Sequence, residues 1–128
     1  MAIESEKNTL RKAGDFDGIT RLIFEYDIEG KTAIIKEYAG GLFLDCDDPE
    51  NSPIQARNNL VSVVKNLHNI GIAQFDFCGE NVFYNPIDFS VKIVDLGWTI
   101  CEENVSSDEF KQAMYKDRLQ LKSLLDGY

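Results

Sequence analysis

The chain has 128 residues, 44% of them hydrophobic and 27% charged, which is ordinary for a soluble globular protein and long enough for one domain with one core. Thirteen Lys and Arg stand against 22 Asp and Glu, a formal net charge of −9, so a surface built for nucleic acid or anionic lipid is excluded as an expectation. Cys46, Cys78 and Cys101 are odd in number and widely spaced, with no C-x-x-C pair; they suit a reducing compartment and give no zinc pattern. The stretch from Met1 to Lys12 is polar and charged, which reads as neither a signal peptide nor an anchor. No apolar run approaches membrane-spanning length. The expected location is intracellular and cytoplasmic.

Residues 1–13 can form one or two helical turns before Gly14. Two β-rich runs follow, Ile19–Tyr26 and Thr32–Tyr38, and the link Asp27–Lys31 contains Gly30, so they read as a hairpin. The acidic stretch around Asp45, Asp47, Asp48 and Glu50 reads as a solvated connection, because it lacks the glycine-bearing spacing of a calcium loop. Ser52-Pro53-Ile54-Gln55 has the form of a capping box with Pro at the first helical position. Leu60, Val63, Val64 and Leu67 follow at helical spacing, and Gly71 can end the helix left-handed. The spacing predicts a helix over about 53–69. His68, the only histidine, is expected to be a structural hydrogen-bonding group at its end.

The stretch from Leu67 to Thr99 carries the chemistry. Asp76 is followed by Asn81 five residues on, and later by Asp95-Leu96-Gly97. Val82-Phe83-Tyr84 and Val91-Lys92-Ile93-Val94 are strand formers separated by Asn85-Pro86. Asp76 and Asn81 therefore belong to a loop entering a hairpin, and Asp95 to the end of its second strand. Oxygen ligands at one end of a hairpin suit a hard cation such as Mg²⁺. The three side chains are expected to converge there, within reach of solvent. Ser106-Ser107-Asp108-Glu109 is a second capping box, opening a helix to about Leu125 with Phe110, Ala113, Met114, Leu121, Leu124 and Leu125 as its stripe. Asp117 shares that stripe, so it should point inward and accept hydrogen bonds. The alternative is a polar gap reaching solvent or Arg118.

The ordered set Leu67-His68, Asp76-x-x-x-x-Asn81 and Lys92-Ile93-Val94-Asp95-Leu96-Gly97 resembles the C-terminal lobe of the protein kinase-like family, whose catalytic loop reads H-R-D-x-x-x-x-N and whose metal-binding turn reads D-F-G. The resemblance implies an α+β fold: residues 1–41 as a residual small-lobe helix, hairpin and hinge, and 42–128 as a truncated, divergent helical lobe. It implies Asp76 as the catalytic base position, Asn81 and Asp95 as Mg²⁺ ligands, and Glu37-Tyr38 as the hinge that contacts adenine. It also implies that Asp117 bonds backbone amides near Gln74–Phe75 and supports the loop structurally.

The chain departs from that pattern in several ways. Gln74 and Phe75 replace the bracing His and Arg, and Cys78 replaces a phosphate-neutralising Lys. No G-x-G-x-x-G precedes the hairpin, and Lys31 and Lys36 lie in the wrong elements for the phosphate-pairing Lys. Roughly nine residues separate Gly97 from the last helix, too few for an activation segment. Each lost electrostatic group typically costs ~10²–10³ in rate. The expectation is a catalytically impaired, pseudokinase-like protein that acts by binding another protein, such as a kinase or signalling protein, and not nucleic acid or membrane. The alternative is an active or weakly active ATP/Mg²⁺-dependent phosphotransferase. Retained binding of ATP and Mg²⁺ as a regulatory signal overlaps with both.

Overall fold

Helix α1 (Ile3–Ala13) has Glu4 and Glu6 in its first turn and Arg11 and Lys12 in its last, the charge order that the helix dipole favours. It stops at Gly14, whose φ is 58° and whose N–H bonds Leu10 O at 3.0 Å. The computed structural model describes residues 3–20, 22–37, 40–44, 52–77 and 81–126, the last three by backbone alone. Tyr38, the acidic stretch 45–51, Cys78 and the side chains of Leu124 and Leu125 lie outside the described residues.

Strands β1 (Leu22–Ile28) and β2 (Lys31–Lys36) form an antiparallel hairpin. Glu29 and Gly30 both have positive φ, 51° and 78°, the signature of a tight two-residue turn that matches strand twist. The expected start of the first strand at Ile19 is corrected. Fully buried Ile19 instead makes an isolated parallel bridge to Ile93, with Ile93 N–H on Gly18 O at 3.0 Å and Thr20 N–H on Ile93 O at 3.4 Å. Burial beside Ile93 takes these residues out of the hairpin, and its register is irregular between Leu22 and Phe24.

Strands β3 (Leu42–Phe43), β5 (Val82–Tyr84) and β6 (Val91–Ile93) make a three-stranded antiparallel sheet, and β4 (Ile72–Ala73) pairs antiparallel with β7 (Ile100–Cys101). Helix α2 (Ile54–Asn69) buries Ala56, Leu60, Val64 and Leu67 in the core shared with Leu10, Ile19, Ile93 and Leu121. The expected Ser52 capping box is not formed. Pro53, with ψ 134°, is the N-cap, and no side chain caps the helix. Its extended backbone delays the helix by one residue, leaving Ser52 one position too early to reach the free amides. The other end follows expectation: Ile70 N–H bonds Asn66 O and Gly71 turns with φ 89°.

After a 3-10 turn at Glu102–Asn104 comes α3 (Ser107–Asp126). Ser106 Oγ caps it by accepting the Glu109 N–H at 3.1 Å. Phe110, Ala113, Asp117 and Leu121 are buried along one stripe. The class is α+β, with small antiparallel sheets set among the helices. No described helix is long and apolar enough to cross a membrane.

Candidate functional site

The site is organised from α3. Asp117 is 1% exposed, and its carboxylate accepts the Gln74 N–H at 2.9 Å on Oδ2 and the Phe75 N–H at 3.0 Å on Oδ1. These are the amide bonds that the sequence analysis expects. His68 Nε2 lies 2.7 Å from the same Oδ2, and against a carboxylate acceptor it must be the donor. His68 also stacks on Phe75, with centroids 6.1 Å apart and 22° between planes. One buried carboxylate thus ties the end of α2 to the loop that carries Asp76. The ties hold Gln74 at φ 72°, a left-handed conformation uncommon for a residue with a side chain. From there Gln74 Nε2 donates to Trp98 O at 2.7 Å, joining the loop to the turn that follows Asp95.

Asn81 and Asp95 stand at the same end of the β5–β6 hairpin, because Val94 N–H donates to Asn81 O at 2.9 Å. Asp76, Asn81 and Asp95 are all half-buried, so each retains access to solvent. Asp95 Oδ1 accepts the Gly97 N–H at 3.1 Å, an Asx turn that shapes the corner and engages one of its two oxygens. Among the described residues, no group of three or more His, Cys, Asp or Glu could hold a metal ion. The expected Mg²⁺ ligands are thus one carboxylate and one amide, a donor pair that would need oxygens from a nucleotide to complete a magnesium shell.

Sequence reasoning missed the face that α1 turns toward this corner. Glu6, 5% exposed, accepts the Leu96 N–H on Oε2 at 3.1 Å and pairs through Oε1 with Lys36 Nζ at 2.7 Å. Lys36 Nζ also donates to Val94 O at 2.8 Å. A lysine from the end of β2, read from the sequence as misplaced, therefore sits beside the Asp95 turn. Three residues along α1, Thr9 lies 2.6 Å from Thr99 Oγ1. Thr99 spends its proton on Leu96 O at 2.7 Å, so Thr9 is the donor. Cys101 Sγ, 3.9 Å from Thr9, can then only donate in turn. Burial pushes the Cys101 thiol above its ordinary value.

One turn further, Lys12 Nζ bonds Gly71 O at 3.1 Å and the Glu103 carboxylate. The hydrogen bond from Lys12 holds Glu103 below the usual carboxylate range. Glu6, Thr9 and Lys12 form a polar ridge at spacing three, and nothing in composition distinguishes such a ridge from a solvated face. Their partners, not their identity, give it meaning.

Glu37, the described half of the expected hinge, pairs through Oε1 with Lys92 Nζ of β6 at 2.7 Å. With Lys36 on Val94 O, this stitches the exit of the first hairpin to the second. No protein-family model matches the chain, and no curated protein matches it at a significant level.

Proposed function

We propose that this is a minimal kinase-like lobe that acts through protein interaction and is impaired in phosphoryl transfer. The observation that carries the reading is how the segment from Asp95 to α3 is spent. Residues 96–99 close the turn, Ile100–Cys101 pair with β4, Glu102–Asn104 form a 3-10 turn, and α3 opens at Ser107. No free length remains there on which a protein substrate could be laid out. The frame around the loop is kept, with Asp117 on the Gln74 and Phe75 amides. The cationic His–Arg brace and the Lys two residues after Asp76 are replaced by Gln74, Phe75 and Cys78. The partner class is another protein, such as a kinase or signalling protein.

One observation favours a second reading, an ATP/Mg²⁺-dependent phosphotransferase of low activity. Lys36 Nζ, held by Glu6 and Val94 O, supplies a cation next to Asp95. Under that reading Asp76 takes the proton of the acceptor hydroxyl, Asn81 and Asp95 hold Mg²⁺, and Lys36 faces the phosphates.

Thermal melting with ATP and MgCl₂ tests the nucleotide binding that the second reading requires. A ligand at 100 times its dissociation constant adds about 2.7 kcal/mol of stability. The interaction reading expects an unchanged midpoint; a rise of that size, lost in Lys36→Met, would establish nucleotide binding and favour the second reading.

A further inference from the structure

We propose that the groove between α2 and α3 is the docking site for an acidic amphipathic helix of a partner protein. This deepens the interaction reading by naming the partner's chemistry, and peptide binding is measured independently of any nucleotide effect. The groove has a volume of about 670 Å³. Its floor is apolar, with Val64, Phe110 and Leu121 buried and Val61 and Met114 half-buried. Its rim carries Lys65 from α2 and Arg118 and Lys122 from α3, all exposed.

Three cations share the rim of this groove, whereas the other lysines without an acid partner among the described residues, Lys31, Lys111 and Lys116, do not line it. Lys7, Arg11, Lys12, Lys36 and Lys92 are each paired with a glutamate. Among the described residues no acid pairs with Lys65, Arg118 or Lys122. In a chain of net charge −9, three uncompensated cations around one apolar trough form a local field of the opposite sign, which attracts and orients an acidic partner. The one acid lining the groove, Glu102, comes from the segment preceding α3.

Shape selects a helix. The α3 wall from Phe110 to Lys122 spans about 18 Å at 1.5 Å per residue, three turns of an occupant lying alongside. Such an occupant would place apolar anchors at i, i+3 or i+4, and i+7 on the floor, with Asp or Glu toward Lys65, Arg118 and Lys122. A flat anionic membrane would meet the net negative charge of the whole molecule and could not enter a trough between helices.

The test is selection of random peptides about 16 residues long, enough for three helical turns, displayed on phage against the immobilised full-length protein. Synthesis of the consensus and fluorescence anisotropy follow. The expected consensus combines helically spaced apolar anchors with two or more acidic residues. Its binding should fall about tenfold, ~1.4 kcal/mol, in Arg118→Glu/Lys122→Glu and in Lys65→Glu. It should also weaken when NaCl rises from about 0.05 M to 0.5 M, as screening requires. Circular dichroism of each variant checks its folding, and Met114→Lys probes the floor independently of the rim. No enriched peptide, an enriched peptide that binds folded variants as well as the parent, or a preference of the rim cations for phosphatidylserine vesicles would each overturn the proposal.

Discussion

At the scale of single residues, Asp117 does the most with the least. Its two oxygens receive His68, Gln74 and Phe75, groups from the end of α2 and from the loop that follows, gathered on one carboxylate more than 40 residues further along the chain. The position was legible because Asp117 interrupts an apolar stripe at 3.6-residue spacing, and a buried carboxylate must be satisfied. Glu6 was not legible. A glutamate in the first turn of a charged helix looks the same in sequence whether it faces water or the Leu96 amide. Asp117→Ala removes a charged acceptor and leaves buried amides unpaired, so urea unfolding should show a loss of roughly 1–3 kcal/mol.

Cys101 gives a pH-dependent prediction. Its thiol is buried and held above its ordinary value of 9.0, chiefly by desolvation. The raised value favours the protonated form in the fold, so the associated stability is complete below pH 9.0 and is lost as pH climbs through the folded value. Mass spectrometry after iodoacetamide treatment at neutral pH should find Cys101 unmodified in folded protein and modified in urea. The alkaline loss of stability should disappear in Cys101→Ala.

At the scale of elements, long periodic segments were readable and two-residue ones were not. Helices α2 and α3 and both hairpins follow from spacing and turn residues. Strands β3, β4 and β7 have two residues each, too short for any alternation to register. Strands β4 and β7 exist because the backbone groups at buried Ile72, Ala73 and Cys101 need partners, which is a tertiary requirement, and β3 is an exposed edge added to β5. Ser52 shows the converse case, a sound local signal displaced by one residue through the ψ of Pro53. The first hairpin carries a testable flaw. Glu29 occupies a left-handed position, φ 51°, ahead of Gly30, where Asn is the preferred residue. Glu29→Asn should therefore raise stability by about 0.5–1 kcal/mol, read as a higher urea midpoint with unchanged slope.

At the scale of the whole molecule, Glu6 on the Leu96 amide and Lys36 on Val94 O brace the corner bearing Asn81 and Asp95, while the carboxylate of Asp117 holds the loop that leads to Asp76. The corner is braced from both sides, while the segment beyond it is consumed by β7 and the 3-10 turn. The order of the motifs was visible in the sequence; the bracing was not, because it joins residues 90 positions apart, such as Glu6 and Leu96. A retained frame without room for a protein substrate is the central claim. The most direct test is incubation of the purified protein with radiolabelled ATP, MgCl₂ and generic protein substrates, in parallel with Asp95→Asn. Neither protein should transfer phosphate appreciably; robust ATP turnover by the parent, abolished in Asp95→Asn, would overturn the interaction reading.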